Sequence, residues 1–148
     1  MAAGKNKVEK GFYILWDDTV PTARNLTGDL VRGSLSIDDE FESVDLTGVS
    51  EELVNYLAGH RNVQVSARFH MNDTATTGSS TVLNATAGGT GTLTLQFGDA
   101  GAAPAGGNLE LEGEFVHLRN AIAVDGNKYV HDVTWMPTGS AGFAWGTV

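Results

Sequence analysis

The chain contains no cysteine. Disulfide staples, thiolate nucleophiles and zinc–thiolate centres are therefore excluded. Cations are scarce as well. Nine Lys and Arg stand against eighteen Asp and Glu, leaving a net charge of −9. Phosphate binding draws on clustered cations, so tight binding of DNA or of an anionic membrane is not expected. The acidic balance favours solubility instead. No apolar run reaches the length of a membrane span. The opening residues, MAAGKNKVEKGF, lack the apolar core of a secretion signal. Residues 1–10 read as a flexible arm and 11–148 as one domain, of an intracellular product or one released by lysis. A domain of this size buries a core without staples.

Catalytic spacings are missing too. The four histidines, His60, His70, His117 and His131, form no metal-ligand pattern such as HxxxH. Serine-nucleophile signatures of the GxSxG and SxxK types are absent. The GGTG run at 88–91 precedes a strand pattern and has no lysine after it, so it reads as a turn and not a phosphate loop. Asp17-Asp18 and the acidic run Asp38–Glu42 lack the periodicity of a calcium loop. No catalytic residue, metal or cofactor is expected, and the chain reads as a non-enzyme.

What is abundant is glycine, 19 residues, together with Thr, Ser and Asn, a composition suited to a β-rich fold with many turns. Apolar runs or period-two alternation predict strands at 11–16, 30–37, 62–71, 91–97, 108–124, 128–135 and 142–147. Asp125-Gly126 is the strongest hairpin signal. Ser50 as an N-cap, Glu51 and Glu52 after it and Gly59 at the end predict a helix over 51–58, with Leu53, Tyr56 and Leu57 facing inward. A second, short helix is expected over 79–86. Residues 17–29 read as a long loop, and long loops are commonly functional. In the strand NLELEGEFV, Leu109, Leu111, Gly113 and Phe115 point one way and Glu110, Glu112 and Glu114 the other. A glycosidase needs two carboxylates across a cleft, which three in a row on one open face do not supply.

The order of these elements, with the "VDLTG" step, the strand ending "FHMND" and the closing "GEF…DGNKYVHDVTWMPTG" hairpin, resembles the major tail (tail tube) proteins of long-tailed bacteriophages and gene transfer agents. The resemblance spans about residues 11–145. It implies an antiparallel β-sandwich or partial barrel with one flanking α-helix. It also implies self-association into hexameric rings stacked into a tube around a lumen that conducts DNA. The partners it implies are other copies of the chain, tape measure, tail terminator and distal tail proteins; DNA passes through without specific binding, and no membrane is involved. The location it implies is the virion tail, assembled in the host cytoplasm. Glu110, Glu112 and Glu114 become candidates for the lumen wall, where carboxylates keep phosphate from sticking. Asp17, Asp18, Arg24 and Asp29 become candidates for contacts between subunits or rings. A head decoration or head–tail joining protein, also small, acidic and β-rich, is the alternative.

Overall fold

The computed structural model describes residues 12–98, 103–139 and 143–148. The expected N-terminal arm and part of the glycine-rich 98–108 loop lie outside the described residues. Among those described, eight strands and one α-helix follow one another. They are β1 (Phe12–Asp17), β2 (Ala23–Asn25), β3 (Ser36–Asp45), β4 (Tyr56–His70), α1 (Ser79–Thr86), β5 (Thr90–Phe97), β6 (Leu109–Asp125), β7 (Lys128–Pro137) and β8 (Phe143–Thr147).

All strand pairings are antiparallel, in the order β2-β1-β5-β6-β7-β4-β3, with β8 also on β6. β6 is the spine. Its first half pairs with β5 along one edge and with β8 along the other, and its second half pairs with β7. A bulge between His117 and Arg119 marks the change of partner. Alternation then decides the core. Phe12, Ile14 and Trp16 from β1, Leu93 and Leu95 from β5, Leu111 and Phe115 from β6, and Val65 and Phe69 from β4 all turn inward. Trp135 of β7 meets Trp16 at 5.7 Å between ring centroids and Phe69 edge-on at 6.1 Å. These contacts join strands far apart in the sheet order, so the sheet curls over one core without closing.

α1 follows Gly78, where a Cβ would lie 2.3 Å from the Asn72 carbonyl oxygen, so only glycine fits the approach. Val82 and Leu83 anchor the helix in the core. Gly126, at φ +64°, makes the tight turn between β6 and β7 where the hairpin was expected.

Three sequence expectations are corrected. Residues 51–58 are not a helix. Glu51–Asn55 form the tip of the β3–β4 hairpin, and Tyr56 to Ala58 pair with Asp45 to Ser43. Eight residues cannot sustain a helix on local capping alone. The intended inward stripe has nothing to bury against, with Leu53 82% and Tyr56 62% exposed. The strand expected at 30–37 instead begins at Ser36, and it runs through the acidic residues taken for a turn. Cross-strand pairing made this possible: Asp39, opposite Val63, is gripped by Arg61 at 2.7 Å. Finally, 17–29 is not a plain loop, since it holds β2 and a 3-10 turn at Thr27–Asp29.

Candidate functional site

The three glutamates share one outward face with their β5 neighbours. Thr92 lies opposite Glu114, Thr94 opposite Glu112 and Gln96 opposite Glu110. Each neutral partner donates to its carboxylate: Gln96 Nε2 to Glu110 at 2.7 Å, Thr92 Oγ1 to Glu114 at 3.0 Å and Thr94 Oγ1 to Glu112 at 3.5 Å. Across the same face β1 contributes Tyr13 and Leu15, and β8 contributes Ala144 and Gly146. The described residues at these register positions include no cation. The face is thus a polar, acidic plateau whose charges are held upright by hydrogen bonds, with no ion pair to them among the described residues.

The four charged residues of the 17–29 segment are engaged within the subunit. Asp18 accepts from the backbone N–H groups of Val20 and Thr22 and pairs with Arg24 at 2.7 Å. The Val20 N–H first, then the guanidinium and the Thr22 N–H, hold its carboxyl below the usual range. Asp17 accepts from Thr92 N–H. Asp29 receives Asn72 Nδ2 and the Ser79 N–H at the start of α1, where a carboxylate meets the positive end of the helix. The exposed part of the segment is its tip, where Val20 is 74% exposed.

A buried polar chain ties α1 to the sheet. Ser80 Oγ lies 2.7 Å from His131 Nε2, and His131 Nδ1 lies 2.9 Å from Asn120 Oδ1. Ser80 and His131 pair as in a serine hydrolase, but the third group is the neutral Asn120 amide and not a carboxylate. Ser80 is 6% exposed and His131 fully buried, so the hydroxyl faces the protein interior and not a cleft. Burial pushes His131 and His117 down from the ordinary imidazole value, favouring the neutral form of both.

Sequence reasoning missed two features. One is the β3–β4 hairpin as an arm. From Phe41 outward it leaves the core and carries Val44, Leu46, Val49, Leu53, Val54, Tyr56 and Leu57, all exposed. The signal was available as a run of apolar residues, but it was spent on a helix. Exposed apolar surface on this scale marks a contact surface. Arg61 stiffens the arm's base, its guanidinium lying 5.2 Å from the Phe41 ring centroid and 4.4 Å from that of Phe143 on β8. The other is a groove that gathers Arg32, Arg68 and Arg119. No local motif links these three, since only the sheet register brings them together.

Neither a protein-family model nor a curated protein matches the chain. Solved structures do match. A chain in the tail of an empty gene transfer agent particle, of C6 helical symmetry, aligns over 93% of this chain and 95% of its own length, with a TM-score of 0.64 at 18% identity. A chain of the native gene transfer agent virion aligns over 89% and 95%, with a TM-score of 0.64 at 16% identity. A chain of the sixfold baseplate of the anti-feeding prophage aligns over 98% of both chains, with a TM-score of 0.67 at 11% identity. The fold is that of phage tail-type proteins. The neighbours are chains of assembled tail, virion and baseplate particles.

Proposed function

We propose that the chain is a structural tail protein, and specifically a tail tube subunit whose hexameric rings stack around a DNA-conducting lumen. The observation that carries this reading is the arm. A monomeric protein has no use for a hairpin that exposes seven large apolar side chains beyond Phe41, whereas a self-assembling one buries them against a neighbour. The fold shared with a chain of a C6-symmetric tail supports the sixfold arrangement. The cation-free glutamate face suits the lumen wall. Glu110, Glu112 and Glu114 repel phosphate, and no described cation at the neighbouring register positions offers a hold to the duplex. The tip of the 17–29 segment, at Val20 and Pro21, is a second contact with a neighbouring subunit or ring. Asp17, Asp18, Arg24 and Asp29 position it from within. On this reading the partners are other copies and the proteins at the two ends and along the lumen of the tail, and the place of action is the virion.

A second reading, a baseplate ring, is favoured by the alignment over the whole length of a baseplate chain. Purified protein examined by negative-stain electron microscopy separates the two. Hollow rods that lengthen with concentration support the tube subunit. Discrete rings that do not stack support the baseplate role. A chain that stays monomeric at high concentration refutes both.

A further inference from the structure

The groove behind the arm has no part in the reading so far. It has a volume of about 490 Å³ and runs between the Val31–Ser34 turn and the outward faces of β4, β6 and β7. Three of the chain's nine cations converge on it: Arg32, Arg68 and Arg119. Arg68 is committed, with Nε 2.7 Å from Asp132 and Nη1 3.6 Å from Asp125. Arg119 adds its field to the same Asp132 carboxylate. Neither Arg32 nor Arg119 has a carboxylate within ion-pair distance among the described residues. The groove thus has a surplus of positive charge on a chain whose net charge is −9.

We propose that this groove receives the tip of the arm of a second copy of the chain, with Glu51 and Glu52 meeting Arg32 and Arg119. The inference rests on the self-assembly reading and names the surface that the arm contacts. Charge complementarity selects the occupant. On the arm, Asp39 is held by Arg61 and Glu42 faces His60, whereas Glu51 and Glu52 at the tip are exposed with no described cation in ion-pair range. A carboxylate pair offers two planar acceptors, the geometry that guanidinium groups bind in bidentate fashion. A duplex is the poorer occupant, because Asp125 and Asp132 stand among the arginines and repel a continuous row of phosphates.

Geometry makes the contact intermolecular. β4 runs from Ser66, which lines the groove, out to Tyr56 at the arm's end, paired with β3 on both sides of one bulge near Phe41. Ten residues of strand place the tip about 30 Å from its own groove. Arm and groove are different patches, so each copy offers both halves and the contact propagates from copy to copy. That is the heterologous kind of interface, which builds rings or filaments and not a closed dimer.

Charge reversal tests the pairing in the full chain. One variant reverses the groove (Arg32→Glu with Arg119→Glu), another reverses the arm (Glu51→Lys with Glu52→Lys), and a third combines all four changes. Arg68 is left alone because it holds Asp132. Circular dichroism checks that each variant folds. Sedimentation and electron microscopy read the concentration at which rods appear. Each single reversal is expected to raise that concentration about tenfold or more, since like charges then face each other. The combined variant, in which lysines meet glutamates, is expected to recover most of the loss. Folded variants that polymerise like the parent overturn the pairing while the parent's rods uphold the tube reading. A parent that forms no assembly overturns both. If the groove reversal leaves rods intact but abolishes retention of a fluorescent duplex, the groove faces DNA and the inference fails.

Discussion

Replacing His131 by alanine tests whether the buried polar chain is structural. His131 is fully buried, with its two ring nitrogens 2.7 Å from Ser80 Oγ and 2.9 Å from Asn120 Oδ1. Truncation strands the Ser80 hydroxyl, which is 6% exposed and cannot turn to water. A stranded buried hydroxyl costs about 1–3 kcal/mol. The space left by the imidazole adds a further cost of about 1–2 kcal/mol. Asn120 is half-buried, keeps Asn84 as a partner and contributes little. The expected loss is therefore about 2–5 kcal/mol, or a fall in Tm of about 5–15 °C for a domain of this length. Urea unfolding at concentrations below any assembly measures it without a contribution from association. The mechanism makes a sharper demand in a double-mutant cycle. Ser80→Ala strands His131 in the parent but removes the orphan in the His131→Ala background, so the pair should couple by about 1 kcal/mol or more. If His131→Ala costs under about 1 kcal/mol, or if the two changes simply add, the chain of hydrogen bonds is not what fastens α1 to the sheet.

The remaining predictions concern pH, the arm and the glutamate face. His117 and His131 have folded pKa values below the ordinary 6.5, with burial as the leading cause. The unfolded chain therefore takes up protons first, so stability is full above about pH 7 and falls below pH 6.5, by up to about 1.4 kcal/mol per pH unit for each histidine. Urea midpoints between pH 7 and 5, above the range of the lowered Asp18, Asp39 and Asp132 carboxyls, check this, and a flat profile contradicts it. Val49→Asp with Leu53→Asp changes residues that already face solvent, so monomer stability should move by less than about 0.5 kcal/mol. The same pair should stop rod formation in sedimentation, and normal rods would show that the arm is not a contact. Changing Glu110, Glu112 and Glu114 together to Lys removes three cross-strand hydrogen bonds, two exposed and one half-buried, a loss of about 1–2 kcal/mol. If the face lines the lumen, particles should assemble but release DNA slowly, with the delay shrinking as salt rises. Unchanged release places the glutamates on the exterior, and failed assembly places them between subunits.

Local pattern was enough wherever the physics is local. Period-two alternation located β5, β6 and β7 and told their inward from their outward residues, because side-chain direction in a strand follows from chain geometry alone, while an apolar run located β1. The short helix Ser79–Thr86 and the turn at Gly126 were likewise legible from a few neighbouring residues. The same local reasoning failed at 51–58, where Ser50, Glu51 and Glu52 capped a helix that never had a core to pack on. There the partner strand, Ser43–Asp45, supplied the competing hydrogen bonds, and no reading of 51–58 by itself contains that partner. The acidic plateau of Glu110, Glu112 and Glu114 was visible in the sequence, but its hydrogen-bonded support from Thr92, Thr94 and Gln96 depended on the β5–β6 register. The arginine groove depended wholly on tertiary structure. Arg32, Arg68 and Arg119 come from a turn and two strands whose adjacency is decided by long-range pairing, and charge proximity of that kind leaves no mark on a linear sequence.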